Sequence, residues 1–222
     1  VKALQPLGMV GFEDWLRSLA RILGQEVAAE HYLCEQREKY LPRIEALREH
    51  LRGRRAVVGM GPSYAFNFTR VLGELGVEVD RTFAWHLDPL YDHGQKPESI
   101  AWLAKHRPHQ EVRVSDLQYH ELVHELRRVR PDIYFFRHPT NAGIIQKLGI
   151  PAFSVISEGC AFGYRGLWEF GQAISDTLAN RNFERRLAAK TRLPFTSAWL
   201  EGPQAVVLDE DPFLKPELLE AV

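Results

Sequence analysis

Cysteine is nearly absent: the 222 residues hold only Cys34 and Cys160. Two thiols so far apart make neither a disulfide framework nor a cysteine-only metal site. They also cannot supply the four thiolates that an iron-sulfur cluster usually takes, so the chain by itself is expected to hold no such cluster. A dominant charge is missing too. Lysine and arginine number 28 against 29 aspartates and glutamates, and no global field draws nucleic acid or an anionic membrane. No apolar run approaches the roughly 20 residues of a membrane-crossing helix, and the amino terminus lacks the basic-then-apolar order of a signal peptide. The expectation is a soluble cytoplasmic protein. The chain opens on Val1 rather than methionine, which suggests trimming.

What is present is ample apolar material, 45% of residues, at an ordinary 26% charged, enough for one or two compact units. Residues 1–53 carry no strand signal. Trp15, Leu16, Leu19, Ile22 and Leu23 recur at helical spacing and end at Gly24; Leu33, Tyr40, Ile44, Leu47 and Leu51 mark a longer helix from about Gln25 to Leu51. Pro42 is expected to kink or split that helix. Cys34 lies seven residues from Val27 and from Leu41, which predicts a place in the core.

From Arg54 short apolar runs alternate with amphipathic stretches, the pattern of βαβ units. The runs Ala56 to Gly59, Val77 to Ala84, Glu111 to Val114, Asp132 to Phe136 and Ala152 to Ile156 read as strands covered on both faces. Helices are predicted over Ser63 to Leu75, Glu98 to Lys105, Tyr119 to Val129, Asn141 to Leu148 and Leu167 to Leu178, with Gly76 and Gly149 at helix ends. The fold class expected is α/β: a Rossmann-like (flavodoxin-like) parallel sheet with helices on both faces, preceded by a helical arm. Residues 54–156 would be the sheet domain, and 157–222 a helix and a tail packing on it or on a neighbour.

A parallel sheet binds ligands at the carboxyl ends of its strands, which singles out the loops that follow them. Gly59, Gly61 and Ser63 form a glycine turn into a helix, suited either to cradling an anionic cofactor group or to close packing. The next loop holds His86 and His93 among Asp88 and Asp92; the fourth supplies Arg137 and His138, and the fifth Glu158 and Cys160. Imidazole, carboxylate and thiol suit metal ligation or proton transfer, although solvent-exposed loops also carry such residues. The candidates are therefore Gly59, Gly61, Ser63, His86, His138 and Glu158 for a cofactor, with Cys160 and His93 for a metal. His86, His93, His138, Glu158 and Cys160 are expected to gather on one side of the sheet.

The order of segments resembles a known family. Leu51-Arg52-Gly53-Arg54-Arg55-Ala56-Val57-Val58-Gly59, then Gly73-Glu74-Leu75-Gly76-Val77-Glu78-Val79, is similar to the opening of a Rossmann-like domain in nitrogenase component 1 α-type subunits. Arg130-Pro131-Asp132-Ile133, Gln146-Lys147-Leu148-Gly149-Ile150-Pro151, Phe162-Gly163-Tyr164-Arg165-Gly166-Leu167 and Asp176-Thr177-Leu178-Ala179-Asn180 follow in the family's order. The likeness covers roughly residues 10 to 200 and rests on that order rather than on one motif.

The resemblance implies a carboxyl-terminal portion of an oxidoreductase subunit, paired with a homologous β-type subunit. It implies an ATP-dependent iron-sulfur reductase as electron donor, and an iron-sulfur or other metal cluster in the full-length protein. The segment carrying the family's cluster cysteines would precede this chain, and Ile156 stands where molybdenum nitrogenase has a cofactor-ligating histidine. A nitrogenase-like reductase of unassigned substrate is the reading that follows. The alternatives are a cofactor-assembly scaffold and a small-anion binding module; the isolated fragment is expected to be inactive.

Overall fold

The computed structural model describes residues 3–85, 97–114, 119–137, 142–155, 161–193 and 195. The chain begins with two helices, α1 (Gly8–Leu23) and α2 (Glu26–Leu51). Gly24 separates them at φ 62° and turns its N–H back to the Ala20 carbonyl, the left-handed stop that glycine adopts without a Cβ clash. Helix α2 is not split at Pro42, whose ring lies on the exposed side. Its buried stripe is Ala29, Leu33, Tyr40, Ile44, Leu47 and Leu51. Cys34 is exposed, against the core position predicted for it. It stands one residue, about 100° of helix, round from Leu33, and its supposed companion Val27 is 86% exposed.

Strands β1 (Arg55–Met60), β2 (Glu78–Ala84), β3 (Val112–Val114), β4 (Ile133–Phe136) and β5 (Ala152–Ser154) form one sheet in the order β3-β2-β1-β4-β5. Every pairing is parallel. This is the Rossmann order; the flavodoxin variant of the doubly wound plan runs 2-1-3-4-5. The crossovers are α3 (Pro62–Glu74), α4 (Glu98–His106), α5 (Tyr119–Val129) and α6 (Ala142–Lys147), and α7 (Gly163–Ala179) and α8 (Asn182–Lys190) follow the sheet.

The strands read as unbroken apolar runs because the pleat sends alternate residues into two cores. Ala56, Val58, Met60, Ile133 and Phe135 join Leu33, Ile44, Phe68, Leu72, Leu167, Phe170 and Ile174 on the face covered by α1, α2, α3 and α7. Val57, Tyr134 and Phe136 join Phe83, Trp85, Leu122, Leu126 and Ile145 on the other. Each buried valine, leucine, isoleucine, phenylalanine or methionine among them contributes about 1.5–3 kcal/mol by leaving water. In α7, Gly171 packs against α2 and the end of α3: a Cβ there would meet Leu75 Cδ2 at 2.9 Å and Leu47 Cδ1 at 3.1 Å.

Helix α8 (Asn182–Lys190) lies in what the sequence left as a tail. Glu, Arg, Leu, Ala and Lys give it strong local propensity, but Phe183 is 60% exposed and Glu184 is its buried residue, so no apolar stripe announces it.

Helix α1 is joined to α3 by a buried ion pair. Arg70 and Glu74, one turn apart on α3, have side chains 1% and 8% exposed and meet at 2.5 Å. Glu74 Oε2 accepts the N–H groups of Met9 (2.6 Å) and Val10 (3.3 Å), so it caps the first turn of α1, where Leu7 offers no side-chain cap. Arg70 Nη2 donates to the Leu7 carbonyl at 2.8 Å and to Asn67 Oδ1 at 3.2 Å. Burial pushes the Glu74 carboxyl up, opposed by Arg70 and by the two amides. Burial likewise lowers Arg70, opposed by Glu74. Gly8 is required here twice over: its φ is 66°, and a Cβ would sit 2.7 Å from Glu74 Oε1.

Candidate functional site

Because all five strands are parallel, Met60, Ala84, Val114, Phe136 and Ser154 end on one edge. The order reverses between β1 and β4, where Gly59 pairs with Phe136. The crevice at such a reversal is where doubly wound sheets take their ligands. Gly61 and Arg137 leave the sheet on its two sides.

On the β1 side, Gly61 has φ −56° and ψ 150° and precedes Pro62 at the first position of α3. Proline has no N–H to leave unsatisfied there and its ring already holds a helical φ. The amides of Tyr64 and Ala65 both turn back to the Gly61 carbonyl, at 3.1 and 2.9 Å. Ser63 is exposed in this first turn, and its carbonyl accepts Asn67 Nδ2 at 2.7 Å. Gly59 faces the opposite core. A Cβ on it would lie 2.1 Å from Tyr134 Oη and 2.7 Å from Trp85 Cζ2, so its missing side chain lets Tyr134 and Trp85 close over β1.

On the β4 side, the Arg137 guanidinium lies 3.8 Å above the centre of the Tyr64 ring. A cation over an aromatic face is held by the ring quadrupole, worth about 0.5–1 kcal/mol at exposed sites and more when desolvated. The switch point therefore carries a fixed positive charge from β4 beside the amino terminus of α3, whose dipole has the same sign. Such an edge attracts the negative part of a ligand. Sequence reasoning named Arg137 only as a companion to His138; its stacking on Tyr64 joins two segments far apart in sequence and needed the fold.

His86, His93, His138, Glu158 and Cys160, with Ile156, lie outside the described residues. Among the described residues no group of three or more histidines, cysteines, aspartates and glutamates is placed to hold a metal. The described part of the edge thus does not by itself fit a metal centre.

A second polar cluster, which sequence reasoning missed, ties the arm to α7. Arg17 Nη1 and Arg37 Nη2 contact the Glu13 carboxylate at 2.8 and 2.7 Å, and Arg17 Nε reaches Glu30 at 2.6 Å. The Tyr164 hydroxyl donates to Glu13 and accepts Arg37 Nε at 3.3 Å. Burial pushes the Glu13 carboxyl up, but the hydrogen bonds from Tyr164, Arg37 and Arg17 outweigh this and hold it below the usual carboxylate range. Tyr164 is pushed up to about 12, by burial first and then by its bond to Glu13. Only the Glu13–Arg17 pair, one helical turn apart, is a signal that sequence spacing offers.

Residues 1–179 match the family model described as Nitrogenase component 1 type Oxidoreductase. Among solved structures, "Nitrogenase Cp1 at pH 5" is similar with a TM-score of 0.65 and 17% identity, covering 82% of this chain and 42% of that one. "Nitrogenase Cp1 at pH 6.5" is similar with a TM-score of 0.65 and 15% identity, covering 86% and 46%. The chain thus spans less than half the length of these neighbours, and at such identities the likeness shows the fold. No curated protein matches.

Proposed function

Since the chain belongs to the nitrogenase component 1 type oxidoreductases, we propose that it forms part of a catalytic subunit whose sheet edge at the β1–β4 switch point faces a metal cofactor or substrate. In this reading the whole complex pairs the subunit with a homologous β-type chain and takes electrons from an ATP-dependent iron-sulfur reductase. Arg137, held on Tyr64, carries the proposal within this chain. A cation fixed beside a helix amino terminus stabilises negative charge on a bound cluster or on a substrate gaining electrons, because it needs no reorganisation when the charge appears. Gly61 and Ser63 form the opposite lip. His86, His138, Glu158, Cys160 and His93, each of which follows a predicted strand in the sequence, are proposed as further contacts to the cofactor or metal.

The test uses the complete polypeptide that contains this chain, purified anaerobically with its partner and supplied with reductase and ATP. Metal analysis and substrate-dependent electron consumption are measured for the wild type and for Arg137→Gln. The expected result is a bound cluster, with turnover reduced about tenfold or more in the variant through loss of one preorganised charge. Wild-type turnover in Arg137→Gln would remove this residue from the site. A retained cluster with no electron consumption in the wild type would move the protein to the scaffold class.

A further inference from the structure

Arg137 follows the last residue of β4 and stands two positions on from Phe135, so the alternation of the strand sends both side chains to the face that α3 and α7 cover. A chain of aromatic rings leads from one to the other. Phe135 meets Phe170 of α7 at 5.9 Å between ring centres, and Phe170 meets Phe68 of α3 edge-on at 5.5 Å. Phe68 in turn stacks on Tyr64, one turn earlier on α3, at 6.5 Å and 16°. Arg137 closes the circuit with its guanidinium 3.8 Å above the Tyr64 ring. We propose that Tyr64 is a positioning residue, whose ring and not its hydroxyl fixes the Arg137 guanidinium at the switch point. This role rests on the reading above, in which Arg137 stabilises negative charge on a bound cluster or substrate.

The circuit is anchored in the core. Phe135, Phe68 and Phe170 are 0%, 1% and 3% exposed, and side chains packed at interior density keep to one arrangement. Tyr64 is only partly buried, yet it is fixed at both ends. Pro62 and the bond from the Tyr64 amide to the Gly61 carbonyl, 3.1 Å, set its backbone in the first turn of α3, and Phe68 sets its ring. Arg137 has no such frame of its own. It has left the ladder of β4, and an arginine side chain has many rotamers to lose. The Tyr64 ring is what selects among them.

The selection comes from the ring face. Its quadrupole attracts a cation on phenylalanine as on tyrosine, which makes the hydroxyl dispensable. A separation of 3.8 Å is also van der Waals contact, the distance at which a planar guanidinium lies flat on a ring. The N–H donors share the guanidinium plane, so this pose turns them along the ring rather than into it.

The test has one readout for the placement and another for its use. In the full 222-residue chain with isotope-labelled arginine, the Arg137 side-chain resonances are assigned by their loss in Arg137→Gln. They are expected upfield of the other arginines, in the shielding cone of the ring, in the wild type and in Tyr64→Phe, and to return to ordinary positions in Tyr64→Leu. In the complete polypeptide with its partner, reductase and ATP, Tyr64→Phe should turn over as the wild type does. Tyr64→Leu should lose about tenfold or more, as Arg137→Gln does, and should cost nothing further when added to Arg137→Gln, because the two changes remove one interaction. Unshifted Arg137 resonances in the wild type, shifted ones in Tyr64→Leu, or an equal cost of Tyr64→Leu with and without Arg137 would overturn the proposal. Wild-type turnover in Arg137→Gln, with the resonances behaving as expected, would instead overturn the role given to Arg137 and leave its placement by Tyr64 standing.

Discussion

The Arg70–Glu74 pair makes a quantitative prediction about how the helical arm is attached. In Glu74→Ala the Arg70 guanidinium, 1% exposed, loses its counter-charge while remaining buried, and the amides of Met9 and Val10 lose their acceptor. Removing one partner of a buried ion pair costs about 3–5 kcal/mol, and an uncapped helix start about 1 kcal/mol. For a chain of this size each kcal/mol moves Tm by about 2–4 °C, so the combined loss of about 4–6 kcal/mol predicts a fall of roughly 8–24 °C. Urea denaturation should show the same loss as a lower midpoint at an unchanged slope.

Hydrogen exchange locates the effect. The amides of Met9 and Val10 should lose protection to a greater degree than those of β1, since the arm loosens before the sheet opens. The double variant Arg70→Leu with Glu74→Leu should recover part of the stability, because apolar replacement of both partners removes the stranded charge. A loss under about 1 kcal/mol in Glu74→Ala, against that expectation, would refute the argument. So would unchanged protection at Met9 and Val10.

Two further outcomes follow from the packing and the electrostatics. Gly59→Ala should destabilise the chain by about 1–3 kcal/mol, the usual range for overpacking a core, because its Cβ would lie 2.1 Å from Tyr134 Oη; a wild-type urea midpoint would show that Tyr134 gives way freely. Glu13 has a depressed folded-state pKa, so its contribution is complete above the unfolded carboxylate value of about 4.3 and fades as pH falls through the lower folded value. Glu13→Gln should therefore lower Tm at neutral pH and converge on the wild type as pH drops below 4, and a Tm gap constant with pH would contradict it.

What the sequence by itself determined is the layered α/β plan. Alternating apolar runs and helical stripes fixed five strands and their crossovers to within a residue or two at most ends, because a strand buried on both faces must be apolar throughout. Gly24, Gly76 and Gly149 marked helix ends, and their φ values of 62°, 77° and 78° are the ones that a side chain resists. Local pattern failed where neighbours decide. Cys34 shared a seven-residue spacing with Val27 and Leu41, yet which stripe of α2 is buried depends on where α7 and the sheet lie. Helix α8 had propensity without an apolar stripe.

The candidate sites divide in the same way. The switch-point edge was legible, since parallel strands must all end together, and Gly61, Ser63 and Arg137 lie along it. The stacking of Arg137 on Tyr64, the capping of α1 by Glu74, the bond between Glu13 and Tyr164, and the aromatic circuit through Phe170 were not. Each joins groups distant in sequence whose interaction energy depends on separation and burial, quantities that only the tertiary structure sets.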